Sequence, residues 1–86
     1  MSQNTHTNID IGFAVRQKLS ELDVTVAWLA RRIDYDRSNL CKLLKNTNIY
    51  PELLLKISIA LKTNFFEYYS QYCQHLIENE HDTYMW

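Results

Sequence analysis

The sequence predicts an all-α fold, and three observations carry that prediction. Its 86 residues include one glycine and one proline, too few to punctuate a protein of strands and tight turns. Apolar residues recur at three- and four-residue intervals through most of the chain, the period of a helix with one buried face. Residues suited to opening a helix stand before the periodic runs: Asp10, Thr25, Asp36 and Asn64 as caps, and Pro51 as a first helical residue. The result is a five-helix bundle whose fifth helix is extended.

The first helix is expected from about Asp10 to Leu22, with Asn8 or Asp10 as cap and Ile11, Val15, Leu19 and Leu22 lining one face. The second follows Thr25 and buries Val26, Leu29, Ala30 and Ile33. The third follows Asp36 and buries Leu40, Leu43 and Leu44, while the stretch Lys45 to Tyr50 has no periodicity and reads as a loop. Pro51 opens the fourth helix, where its missing N–H costs nothing, and Leu54, Ile57, Ser58 and Leu61 continue it. Asn64 caps the fifth, which runs from Phe65 to Glu78 or beyond. Residues 1–8 are expected to form a flexible tail, 9–80 one domain and 81–86 a short C-terminal tail.

Composition sets the outer limits. A 47% hydrophobic and 22% charged chain is globular in type. At this size its core is small, so pairing with a second copy is a useful source of extra burial. No apolar run approaches the ~20 residues of a membrane span, and the opening MSQNTHTN lacks the apolar stretch of a secretory signal. Two cysteines, Cys41 and Cys73, make no disulfide framework and fit a reducing, cytoplasmic setting. The net charge of -1 counts against a nucleic-acid binder until its distribution is considered. All nine Lys and Arg residues fall between Arg16 and Lys62 with only five acids, a net +4. The other five acids lie outside that window, three of them in the last nine residues. A basic centre of this kind suits phosphate contact, although ordinary solvated charge gives the same count.

The densest chemistry lies in Thr25–Leu44, TVAWLARRIDYDRSNLCKLL. Asp34-Tyr35-Asp36 leaves room for a sharp turn and a cap, a connection that makes two short helices cross steeply. With Leu40, Leu43 and Leu44 inward, the third helix presents Arg37, Ser38, Cys41, Lys42 and Lys45, a face with three cations and no acid. The positive end of its dipole falls at the first turn of that face, where it suits a phosphate. Arg31 and Arg32 also serve simply as complements to the C-terminal dipole of the second helix. Trp28 lies off the main stripe and is read as partial packing, not as a base-stacking platform.

Residues 11 to 69 resemble the Cro/repressor-type (XRE-like) helix-turn-helix domain of phage and bacterial regulators. Ile11-Gly12 and Val15, Leu29-Ala30, the turn with Leu40 and Leu43, Pro51 to Leu61, and Asn64 to Tyr69 carry the likeness. The resemblance implies a repressor-like fold whose third helix, 37–45, enters the DNA major groove. It assigns base contacts to Arg37, Ser38, Asn39 and Lys42, and phosphate contacts to Thr25, Lys45, Asn46 and Thr47. An arginine reads guanine and an amide reads adenine by paired hydrogen bonds, whereas phosphate contacts position the domain. The implied function is sequence-specific transcriptional regulation, repressor-like and by a homodimer. The chain departs from the family pattern at three places: Val26 where a phosphate-binding glutamine is frequent, Asp34 where the turn usually has glycine, and Leu44 where an acid often makes an internal ion pair.

Other chemistries find little footing. Cys73, His75 and His81 lack the paired spacing of a zinc site, and residues two apart on a helix do not share a face. No nucleophile-and-base motif is present, so neither catalytic residues, a metal nor a cofactor is expected. The C-terminal helix offers a second functional reading. Phe65, Tyr69, Tyr72, Cys73 and Leu76 form an apolar stripe, in which Phe65, Tyr69, Tyr72 and Leu76 are read as a dimer or partner surface. On the alternative reading the chain is a protein-interaction adaptor or antitoxin-like module acting through this helix, with DNA binding weak or lost.

Overall fold

The computed structural model describes residues 9–46 and 48–80, without the side chain of Glu80. Thr47 and the expected tails, 1–8 and 81–86, lie outside the described residues. Those residues form five helices and no strand: α1 (Ile11–Leu22), α2 (Val26–Arg32), α3 (Arg37–Leu44), α4 (Pro51–Leu61) and α5 (Phe66–Glu80).

The helix starts follow the local chemistry. Asp10, Thr25 and Asp36 each accept a hydrogen bond from the backbone N–H three residues on, at 3.0, 3.0 and 2.9 Å. Pro51 occupies the first turn of α4. The Asn64 side chain accepts from the Phe66 N–H at 3.1 Å, so α5 begins one residue later than the periodicity predicts. Phe65 precedes it in a turn.

The first, second and fourth helices end alike. Asp23, Asp34 and Lys62 take left-handed backbone conformations, with φ of 60°, 57° and 53°. The N–H of the following residue reaches back five positions: Val24 to Leu19, Tyr35 to Ala30 and Thr63 to Ser58, at 2.8 to 3.0 Å. This is the Schellman closure, in which a left-handed residue lets two terminal carbonyls find donors. Glycine normally fills that position, so each non-glycine residue here costs about 1 kcal/mol. Asp34 therefore does adopt the turn conformation for which glycine is better suited.

The core is built from α1, α2, α3 and α4 with Ile33, Ile49 and Phe65 from the segments that follow α2, α3 and α4. Ile11, Val15, Leu29, Leu40, Ile57 and Phe65 are fully buried. α3 packs closely on α1 and α2, and α2 on α4. Several burial expectations change. Leu22 is 47% exposed, because the stripe of α1 drifts off the core at its last turn. Val26 and Leu43 are half-buried. Ile33 is buried but follows the end of α2. Ile49, in the loop without periodicity, is buried and supplements the core. Ser58 is the one buried polar side chain among the described residues, and its hydroxyl accepts from the Phe65 N–H at 3.4 Å. That bond helps hold the α4–α5 corner. Beyond it α5 packs on the core through Phe66 and Tyr69 and lies along none of the other helices.

Candidate nucleic-acid interface

α3 positions the candidate site. Leu40 and Leu44, at 0% and 1% exposure, anchor one side of the helix, which turns the other side to solvent. Arg37, Ser38, Asn39 and Lys42 are all exposed, as are Lys45 and Asn46 just beyond. Ser38, Lys42 and Lys45 fall at i, i+4 and i+7 and so share a line. Arg37 lies beside that line next to half-buried Cys41. Asn39 is exposed on the opposite flank, beside Leu43 and away from that line.

The face is cationic and uncompensated. Lys18–Glu21, at 3.0 Å, is the ion pair among the described residues. Arg37, Lys42 and Lys45 thus have no ion pair with a carboxylate among the described residues. The first turn of α3 carries its expected cap: the Asp36 carboxylate accepts from the Asn39 N–H and partly offsets the positive dipole end there. Thr25 is exposed and its oxygen is engaged with the Trp28 N–H, which leaves the hydroxyl proton to donate outward. Thr47 lies outside the described residues.

The third helix is braced from behind by two residues that the sequence patterns do not single out for the site. Gly12 meets the backbone at the end of α3: a Cβ there would fall well inside contact distance of the Leu44 and Asn46 carbonyl oxygens and 3.0 Å from the Leu44 carbonyl carbon. Arg16 donates from Nε to the Leu44 carbonyl at 2.9 Å and lies 5.5 Å from the centre of the Phe13 ring. At Leu44 it is the backbone carbonyl that receives the arginine. The available signal is a solitary glycine inside a helical pattern, which marks a close approach. Tyr35, in the α2–α3 turn, lines one groove with Tyr50; hydrogen-bonding interaction with the Tyr50 side chain, then burial, raises the Tyr35 pKa above the ordinary tyrosine value.

Trp28 is half-buried against the core and carries Arg32 over its ring at 5.3 Å, a cation–π contact consistent with packing. The C-terminal stripe is divided. Phe65, expected on a partner surface, is 0% exposed and belongs to the core, because the α4–α5 corner folds it inward. Tyr69, Tyr72 and Leu76 are half-buried and Cys73 is exposed. Burial raises the Tyr69 pKa. Cys41 and Cys73 are free thiols. Among the described residues no three His, Cys, Asp or Glu side chains group as metal ligands. None of the described helices is long and apolar enough to cross a membrane. Compared with protein-family models, curated proteins and solved structures, the chain has no significant match in any of the three.

Proposed function

We propose that this chain is a sequence-specific double-stranded DNA-binding regulator of the helix-turn-helix type, acting as a homodimer and not as an enzyme. The observation that carries the reading is the acid-free, solvent-facing line of Ser38, Lys42 and Lys45, with Arg37 beside it, on a helix braced by Gly12 and Arg16. Arg37 donates two hydrogen bonds to a guanine edge, Ser38 and Lys42 read the neighbouring bases, and Asn39 contributes from the flank. Lys45, Asn46, Thr25 and Thr47 contact phosphate and fix the register. Two copies on a twofold site set their third helices about 34–36 Å apart, and occupancy of a promoter then represses it. The free thiols support a reducing, cytoplasmic setting.

Selection of bound sequences from random duplexes, followed by titration in rising salt, tests this. The expected result is a two-half-site consensus and an affinity that falls steeply with salt. Arg37→Ala should relax one position by about 1–3 kcal/mol, whereas Lys45→Ala should weaken all sequences alike and lower the salt slope by about one. No binding at micromolar protein in low salt refutes the reading. It would favour the second one, an adaptor or antitoxin-like module acting through α5, which is supported by the exposed Tyr68 and Ile77 on that helix.

A further inference from the structure

Charge is divided along this chain. From Thr63 onward there is no Lys or Arg, and Glu67, Glu78, Glu80 and Asp82 are the charged side chains. α5 is therefore an acidic arm. Its distal half also carries apolar surface, with Leu76 half-buried and Ile77 54% exposed. Fifteen helical residues extend about 22 Å, which puts Leu76 and Ile77 roughly 15 Å from the root of the arm.

The complementary surface is an open groove of about 550 Å³ between the end of α2 and the outer side of α4. Arg32, Lys56 and Lys62 rim it, Ile59 and Ala60 line it, and Asp34 is its single acid. None of the three cations has an ion pair among the described residues. Ile59 is 68% exposed, the highest value among the large hydrophobic side chains described. A phosphate backbone would use the cations but leave Ile59 uncovered. An acidic helix with an apolar side satisfies both features.

We infer that the acidic arm α5 of one copy docks across the basic, Ile59-lined groove of a second copy, reciprocally. The root of the arm packs on the core through Phe66 and Tyr69, and Phe66 follows Lys62 on the groove rim by four residues. A twofold axis at that corner lays each arm over the other's groove and closes the assembly. The arm does not lie along α4 of its own chain. This inference rests on the homodimer in the reading above and is independent of DNA binding.

Sedimentation equilibrium of the full chain tests it, with circular dichroism confirming that each variant keeps its helices. The wild type is expected to dimerise, and Ile59→Asp or the pair Lys56→Glu/Lys62→Glu should raise the dimer Kd about tenfold or more. Mixing Lys56→Glu/Lys62→Glu with a Glu78→Lys/Glu80→Lys chain should restore pairing as a heterodimer. A wild type that stays monomeric overturns the inference. So does a dimer indifferent to Ile59 and the two lysines, which would mean the arms pair with each other, or a failure of the mixed chains to pair. DNA binding by a monomeric wild type would defeat this inference and the homodimer with it, and would leave the DNA-binding reading standing. A charge-swappable dimer without DNA binding would defeat only the functional reading.

Discussion

Gly12→Ala is the most informative single substitution, because local and tertiary effects on it have opposite signs. Helix propensity alone favours alanine, by at most about 0.5–1 kcal/mol since Gly12 stands in the first turn of α1. The structure opposes this. The added Cβ would overlap the Leu44 and Asn46 carbonyl oxygens and lie 3.0 Å from the Leu44 carbonyl carbon. An ordinary carbon–carbon contact is about 3.5–4.0 Å, so even this farthest neighbour must retreat by about half an ångström. All three obstacles are backbone, and no side chain can swing aside to relieve them. Forced repacking of this kind costs about 1–3 kcal/mol. The separation of α1 from α3 also strains the Arg16–Leu44 bond at 2.9 Å, a charge-assisted contact worth about 1.5 kcal/mol. The net expectation is a loss of about 2 kcal/mol, a fall in Tm on the order of 10 °C for a chain this size. Thermal and urea unfolding followed by circular dichroism measure it. Ser20→Ala, at an exposed position of the same helix, serves as the propensity control. If Gly12→Ala stabilises the protein as that control does, the close approach of the two helices is refuted.

Three further outcomes follow from the same structure. Leu19→Ala should cost about 2–5 kcal/mol and Leu22→Ala less than about 0.5 kcal/mol, since Leu19 is 4% and Leu22 47% exposed; equal losses in urea melts would restore Leu22 to the core. Asp34→Gly should stabilise by about 1 kcal/mol, because glycine adopts the left-handed φ of 57° without the Cβ penalty, and a lowered urea midpoint would count against that backbone. Tyr35, through hydrogen-bonding interaction with Tyr50 and then burial, and Tyr69, through burial, hold their protons more tightly when folded. Stability should therefore be level below the ordinary tyrosine pKa of 10.0 and fall as pH rises beyond it, where the unfolded chain ionises first. Tyr35→Phe should lessen that alkaline fall in pH-resolved urea titrations, and an unchanged slope would exclude the Tyr35 contribution.

The candidate site is partly legible in the sequence. Arg37, Ser38, Asn39 and Lys42 are exposed as expected, because Leu40 and Leu44 dictate which side of a short helix turns inward. The cap at Asp36 is legible as well, and its carboxylate accepts from the Asn39 N–H as a capping residue should. Periodicity puts Phe65 on the apolar stripe of α5 and hence on a partner surface, but the residue stands one position before the helix and fills the core.

The starts of the first four helices are legible in the sequence, since the caps Asp10, Thr25 and Asp36 bond within one turn and Pro51 suits the first turn of α4. Such contacts form wherever the chain goes next. Only the tertiary structure decides that Leu22 leaves the core, that Ile49 enters it from an irregular loop, and that Gly12 and Arg16 support the end of α3. Each of these depends on the distance between segments remote in the chain, with Arg16 and Leu44 28 residues apart. Periodicity shows that a helix has an apolar side, but it cannot show how far along the helix a neighbour extends to cover it.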